Sequence, residues 1–159
     1  MTQARRGVRV LAAVLLLAIA TPTRAEGFRV TGTAGVGTAY SHTYFVVGGR
    51  VGYDVAFGVT PELGLTYWGG STPSFLQLAP GVTWYMPLPV LRPYVGGFYV
   101  HDFLSSGFPD QDGVGVRGGI GLGGGGPVSL LVGVAYERRL SCSVDCDTWW
   151  PEALVGVSF

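Results

Sequence analysis

The stretch from Trp149 to Phe159 reads WWPEALVGVSF, and it separates into two chemically different sets when every second residue is taken. Side chains of an extended strand alternate between its two faces, so each set lies on one face. One face is apolar and consists of Trp149, Pro151, Ala153, Val155, Val157 and Phe159. The other carries the carboxylate of Glu152 among mostly small residues. This alternation predicts a strand with lipid on one side and the lumen of a barrel on the other.

Seven segments upstream predict seven further strands, and all of them except the fifth show the same clear alternation. Six of them run over Phe28 to Ser41, Thr43 to Phe57, Glu62 to Gly69, Phe75 to Met86, Arg92 to Phe103 and Gly113 to Gly123, and the seventh begins at Val128. Tyr40 is assigned to the outward face of the first strand. In the fifth strand both faces carry large apolar residues, and we predict that Tyr94, Phe98 and Val100 point outward. The predicted fold is all-β, an eight-stranded antiparallel up-and-down transmembrane β-barrel.

The first 25 residues differ in composition from the rest of the chain. Three arginines precede an unbroken apolar run from Val10 to Ala20, and small residues surround Ala25. This order of features predicts a cleavable signal peptide over residues 1–25, followed by a barrel over residues 26–159. Residues 26–159 contain six arginines, no lysine and ten carboxylates, for a net charge of −4. A chain without a basic surface is not expected to bind nucleic acid.

The predicted connections between strands are short and long in turn. Gly58 to Pro61, Pro87 to Leu91 and Gly124 to Pro127 are short, whereas Phe103 to Asp112 and Leu140 to Thr148 are longer. Short turns on the periplasmic side and longer loops outside are typical of outer-membrane barrels. The chain from residue 26 onward resembles the small outer-membrane barrels of the OmpA and OmpX type, without the peptidoglycan-binding domain that follows the barrel in OmpA.

This resemblance implies a location and a set of partners. A terminal Phe159 preceded by Val157 and Val155 resembles the closing strand that the barrel-assembly machinery reads, so these three residues are the expected assembly signal. The implied location is the outer membrane of a Gram-negative cell, reached by export through the periplasm. The implied partners are outer-membrane lipid, lipopolysaccharide, the assembly machinery and periplasmic chaperones. We expect a monomer.

Charged residues on the inward faces form a predicted network in the lumen. Its members are Arg29, Arg50, Asp54, Glu62, Arg117, Glu137, Arg139 and Glu152, with Glu152 expected near the outer end beside Glu137 and Arg139. Charges inside a narrow lumen need partners. The network could serve as an ion or proton path, or it could be a hydrogen-bonded plug. The interior of an eight-stranded barrel is only wide enough for side chains, which favours the plug.

Cys142 and Cys146 are the only cysteines, and both lie in the last long loop. An exported chain passes through an oxidising compartment, so a disulfide between them is predicted. Metal binding by this pair with Asp145 or Asp147 is the alternative, but a zinc site needs further good ligands and no histidine is close in sequence. No metal and no cofactor are therefore expected.

Some outer-membrane barrels modify lipid A with a serine, a histidine and a carboxylate near the outer rim, and this chain offers two candidate clusters. Ser41 lies beside His42, and His101 lies near Asp102 and Ser105. Neither matches the deacylase pattern of a histidine followed two residues later by a serine. The predicted function is a non-enzymatic outer-membrane barrel, structural or surface-interacting, with a closed polar lumen and extracellular loops. A lipid-modifying enzyme and a secreted lipocalin-like barrel are the two alternatives.

Overall fold

A computed structural model describes residues 27–88, 91–105, 107–123, 127–141 and 146–159. The predicted signal peptide and Cys142 lie outside these residues. No helix in these five ranges has both the length and the apolar character needed to cross a membrane.

The described chain folds into eight antiparallel strands that close into one barrel in sequence order. The strands are β1 (Gly27–Ala39), β2 (His42–Asp54), β3 (Val59–Gly69), β4 (Phe75–Tyr85), β5 (Leu91–Leu104), β6 (Gln111–Leu122), β7 (Val128–Arg139) and β8 (Asp147–Ser158). The predicted eight-stranded up-and-down topology is confirmed.

Polarity is inverted relative to a soluble protein. Outward-facing apolar side chains such as Val36, Val116 and Val132 are half or more exposed, whereas Arg29, Arg117 and Arg139 are buried in the interior. The predicted inward and outward faces of β1 to β4 and of β6 to β8 are confirmed. The apolar surface of this barrel is its exterior.

The prediction for the fifth strand is wrong, because Tyr94, Phe98 and Val100 are buried inside the barrel. Cross-strand partners share a face, and Gly96 of β5 pairs with Thr83 on one side and with Arg117 on the other, both of which face inward. Large rings also fit inward here because the neighbouring strand is rich in glycine. The Phe98 ring covers Gly115, where any Cβ would collide with it.

Two local predictions near turns are also wrong. Tyr40 does not continue β1 with an outward side chain. Tyr40 and Ser41 both adopt positive φ, at 48° and 61°, and make a tight two-residue turn into β2. The Tyr40 ring consequently packs inward, edge-on to Phe75 at 5.5 Å. In addition, β3 begins at Val59, so Pro61 lies within the strand and not in the preceding turn.

The seam that closes the barrel is paired over only part of its length. β1 pairs with β2 through thirteen residues, from Gly27 to Ala39, but with β8 through only five, from Arg29 to Thr33. Each of the other six strand pairs joins eight to twelve residues. The last link across the seam is a side-chain bond, in which the Thr33 hydroxyl donates to the Ala153 carbonyl at 3.2 Å. Beyond it, the outer part of β1 has no ladder partner on this side among the described strands.

Candidate functional site

Charged side chains fill the lumen in three clusters. The inner cluster joins Arg29 of β1 to Asp54 of β2 by two hydrogen bonds, at 3.1 and 2.6 Å. The hydroxyl of Thr60 donates to the same carboxylate at 2.7 Å. The Arg29 guanidinium also lies 4.0 Å from the centre of the Tyr85 ring. This bidentate pair is buried and is supported by hydrogen bonds and by an aromatic face, as a buried ion pair requires.

The middle cluster interleaves two arginines with two glutamates. Arg50 lies 3.4 Å from Glu62 and 3.3 Å from Glu152, and Arg117 lies 3.4 Å and 3.8 Å from the same two carboxylates. All four side chains are at most 10% exposed. Thr83 donates a further bond to Glu62 at 2.8 Å. The four formal charges cancel, so the cluster crosses the lumen without net charge.

The outer cluster contains one arginine and two carboxylates. Arg139 lies 3.7 Å from Asp102 and 3.9 Å from Glu137. The amide nitrogen of Gln77 donates to both carboxylates, at 3.1 Å each, and the Tyr40 hydroxyl donates to Asp102 at 3.2 Å. Neutral donors therefore hold the negative charge that the single arginine does not balance.

The aromatic ring of Tyr40 serves this cluster in a second way. Its centre lies 3.9 Å from the Arg139 guanidinium, a cation–π contact. Burial is the main cause that raises the pKa of the Tyr40 phenol. The phenol thus stays protonated and remains a donor to Asp102 at any physiological pH.

The sequence-predicted network residues all point into the lumen, but two details differ from expectation. Glu152 lies in the middle cluster with Arg50 and Arg117, not beside Glu137 and Arg139. Asp102 is buried in the outer cluster and was missed as a lumen residue. Asp102 was missed because β5 was assigned the wrong face. That assignment placed Asp102 outward together with Phe98.

Aromatic side chains pack around the outer cluster and occupy the outer end of the lumen. Trp68 stacks on Phe75 with ring centres 5.3 Å apart, and Tyr44 meets Phe75 edge-on at 5.4 Å. Gly37 makes room for the Trp68 indole, since a Cβ there would come within 2.5 Å of it. Trp150 extends the group and lies edge-on to Trp68 at 5.6 Å.

His101 does not assemble the cluster with Asp102 and Ser105 that the sequence suggested. His101 and Asp102 are neighbours on a strand, so His101 faces the exterior while Asp102 faces the lumen. His101 Nδ1 instead lies 2.7 Å from Asp112, which also accepts a hydrogen bond from the Tyr99 hydroxyl. The Ser105 hydroxyl lies 3.0 Å from that of Ser74. His42 is exposed at the start of β2.

Comparison with known proteins identifies the fold. No protein-family model and no curated protein sequence matches the chain. Among solved structures, the N-terminal β-barrel domain of Pseudomonas aeruginosa OprF aligns with a TM-score of 0.67 and 14% identity, over 87% of this chain and 100% of that domain. Neisserial surface protein A aligns with a TM-score of 0.60 and 15% identity, over 87% and 99%. These two similarities establish the eight-stranded barrel fold that the strand pairing also shows.

A third match is to the outer-membrane enzyme PagL, with a TM-score of 0.47 and 15% identity, over 84% of this chain and 99% of that one. A similarity of this size has no bearing on activity.

The remaining predicted sites stay predictions. Cys142 lies outside the described residues, so its disulfide with Cys146 stays a prediction. Among the described residues, no group of three or more histidine, cysteine or acidic side chains is arranged to hold a metal ion. The side chains of Val155 and Phe159 lie on the exterior, and the Phe159 N–H donates to the Phe28 carbonyl at 2.9 Å.

Proposed function

We propose that this protein is a non-enzymatic outer-membrane barrel with a lumen closed to solutes, and that it acts structurally or through its outer loops. The observation that supports this proposal most directly is the filling of the lumen by three ion-paired clusters. The middle cluster alone joins β2, β3, β6 and β8, because its four members come from those four strands. Such a linkage fills the width of the lumen with paired side chains and favours a plug over an ion path.

The proposed location rests on the polarity of the wall. Apolar side chains cover the exterior and charged ones occupy the interior, which is the reverse of a secreted lipocalin-like barrel. The protein is expected to require detergent for extraction from outer membranes and to migrate differently on a denaturing gel with and without heating. Release by salt or alkali would overturn the proposed location.

The closed lumen is tested by electrical recording. The purified chain in planar bilayers is expected to give no steady conductance of porin size, because the paired side chains cannot leave the lumen without breaking several buried bonds. The double variant Glu62→Ala with Glu152→Ala removes both carboxylates of the middle cluster, and its conductance is compared with that of the wild-type chain. A large steady conductance in the wild-type chain would contradict the plug.

The absence of enzymatic activity is a separate part of the proposal. Phe103 lies two residues after His101 on the same exterior face. Its ring centre is 4.5 Å from the centre of the imidazole. An aromatic ring thus occupies the position where a hydroxyl nucleophile would serve this histidine. Expression of the protein in a Gram-negative host is expected to leave the mass spectrum of lipid A unchanged. Loss or gain of an acyl chain that depends on His101 would overturn this part.

We also propose that Val155, Val157 and Phe159 form the assembly signal, that the surrounding partners are outer-membrane lipid, lipopolysaccharide, the assembly machinery and periplasmic chaperones, and that the barrel is a monomer. Deletion of Phe159 is expected to prevent assembly, whereas Phe159→Tyr, which keeps an aromatic ring, is the matched control. Heat-modifiable migration of membrane fractions measures assembly. Normal levels of folded protein after the deletion would contradict the signal.

A further inference from the structure

The incomplete seam between β1 and β8 opens the wall into a cavity. The cavity has a volume of about 280 Å³. Its lining includes lumen-facing residues such as Trp68 and Arg117, and also exterior-facing residues such as Ala34, Val36 and Ala153. Lining residues from both faces of the sheet indicate that the cavity reaches through the wall. The wall is unpaired at this place, because the ladder ends at Thr33 with Leu154.

Apolar side chains on the exterior form a band around the barrel. The opening lies in the half of this apolar band that is nearer the outer rim. Ionisable residues on the exterior, such as Arg138 and Asp147, mark the level at which the apolar band ends. From Trp149 to Phe159 the exterior of β8 is apolar, and ten steps of about 3.3 Å at a tilt of about 40° span about 25 Å. The unpaired part of β8 occupies the outer half of that span. Unpaired backbone at membrane depth is tolerated where it lines a cavity.

The chemistry of the lining restricts what the cavity can accept. Its walls are largely apolar and include Val46, Trp68, Ala79, Phe98 and Trp150, while Gln77 of the outer cluster lies on one side and Arg50, Arg117 and Glu152 of the middle cluster lie on the other. The volume is slightly below the roughly 300 Å³ at which pockets for drug-sized molecules begin. A single slender chain fits this size, whereas a lipid with several chains does not.

Three buried polar atoms belong to residues that line the cavity, and they indicate what the end of that chain should carry. Trp68 Nε1 and Arg117 Nε are buried donors, and Glu152 Oε2 is a buried acceptor, and none of the three has a hydrogen-bond partner among the described residues. Buried polar atoms without partners are costly, so a bound group that supplies both a donor and an acceptor would be stabilised. A hydroxyl supplies both. An ionised group would disturb the middle cluster, whose two arginines and two glutamates already balance.

We propose that the cavity binds one uncharged single-chain amphiphile with a terminal hydroxyl, which enters from the outer leaflet through the gap between β1 and β8. The hydroxyl reaches the middle cluster and the chain lies against the aromatic wall. The proposal rests on the membrane location proposed above, but it does not require the lumen to conduct or the protein to act on lipid. Its failure would therefore leave the extraction and conductance tests unaffected.

Two glycines of β1 provide a matched pair of variants. Gly35 lines the cavity, and Gly32 lies on the exterior face of the same strand. At both positions a Cβ would meet no atom within 4 Å, so both should accept a larger side chain. Gly35→Leu fills the mouth of the cavity, whereas Gly32→Leu adds the same side chain to the lipid-facing surface.

Tryptophan quenching in the purified full chain reports occupancy. Trp84→Phe with Trp149→Phe removes the two exterior indoles and leaves Trp68 and Trp150, which both line the cavity. In detergent micelles, 10-bromodecan-1-ol is expected to quench their fluorescence saturably, and unlabelled 1-decanol is expected to reverse the quenching. Gly32→Leu should behave as the parent, and Gly35→Leu should lose the saturable phase.

The other outcomes each overturn the proposal. Equal quenching in both leucine variants would show that bromine reaches the indoles from the micelle, and absence of quenching in the parent would show that the cavity is not entered. Equal quenching by 10-bromodecanoate would contradict an uncharged ligand. Quenching by phosphatidylcholine with brominated chains, but not by the alcohol, would assign the cavity to a membrane lipid chain. If Gly35→Leu does not fold, failure of 1-decanol to reverse quenching in the parent overturns the proposal without it.

Discussion

The middle and outer clusters of the lumen stabilise buried carboxylates by different means. In the middle cluster, Arg50 and Arg117 each lie near both glutamates, and every formal charge is matched by an opposite one. In the outer cluster, Arg139 faces two carboxylates, and the amide of Gln77 and the hydroxyl of Tyr40 provide the remaining support. The comparison shows that a carboxylate buried in this barrel needs hydrogen-bond donors, and that these donors need not be cations.

Removal of a cation from the middle cluster should have the largest effect. Arg117→Ala leaves Glu62 and Glu152 with one arginine between them and removes the contact over the Phe98 ring at 4.1 Å. We expect a loss of about 3–5 kcal/mol in the free energy of unfolding, since it leaves a buried charge uncompensated. Urea unfolding in detergent, followed by tryptophan fluorescence, measures it.

The control for this variant is Arg138→Ala on the exterior, where the side chain is 65% exposed and 3.9 Å from Asp147. It is expected to change stability by no more than about 1 kcal/mol. Similar losses in the two variants would contradict the assignment of Arg117 to a buried cluster that stabilises the fold.

Removal of the neutral donor from the outer cluster comes next in size. Gln77→Leu keeps the approximate volume of the side chain but takes the amide away from both Asp102 and Glu137. We expect a loss of about 1–3 kcal/mol, the usual cost of leaving buried acceptors unsatisfied. Gln77→Glu, which adds a third carboxylate, should cost more than Gln77→Leu in the same unfolding experiment. The opposite order would show that Arg139 alone holds the cluster.

The clearest contrast between the two clusters comes from neutralising one carboxylate in each. Glu152→Gln leaves two arginines facing one carboxylate and is expected to destabilise the barrel by about 1–2 kcal/mol. Glu137→Gln leaves Arg139 balanced by Asp102, and the new amide oxygen can still accept from Gln77, so stability should be unchanged or slightly higher. Heat-modifiable migration across a temperature series compares the two variants. Equal effects would eliminate the distinction between the clusters.

The smallest expected effect separates the hydroxyl of Tyr40 from its ring. Tyr40→Phe removes the donor to Asp102 and keeps the ring beneath Arg139, for a loss of about 1 kcal/mol. Tyr44→Phe is the matched control, because its buried hydroxyl has no hydrogen-bond partner among the described residues. It should be neutral, and the contrast fails if both variants lose stability equally in urea unfolding.

The sequence predicts the barrel well because alternation is a local property. The inward face of a strand such as β7 can be read directly from its sequence. Val132, Val134 and Tyr136 lie on the outward face, and Glu137 and Arg139 lie on the inward face. Seven segments of this kind and the less clearly patterned β5 suffice for the topology, and the inward charges outside β5 follow from the faces.

The missed features depend on neighbours that are distant in sequence. Both faces of β5 carry apolar residues, so its orientation is set by pairing with Thr83 and Arg117 and not by its own pattern. The side chain of Asp102 could have been placed correctly from those partners. The turn at Tyr40 depends on backbone angles that a tyrosine seldom adopts. The register between the first and last strands is fixed by closure of the whole barrel, and no local pattern encodes where that ladder ends.

The short ladder between β1 and β8 also bears on the order in which the barrel folds and opens. Thr33 and Ala153, which meet at its outer end, are 120 positions apart in the chain. Contacts between such distant residues form late in folding, because the entropy of closing so long a loop opposes them until the intervening hairpins are in place. With only five pairs among the described residues, this seam has the fewest backbone bonds to break, so we expect the folded barrel to open there first. Amide protons along this edge should therefore exchange with solvent before those on the opposite edge of the same strand, which makes β1 the strand through which the barrel both closes and opens.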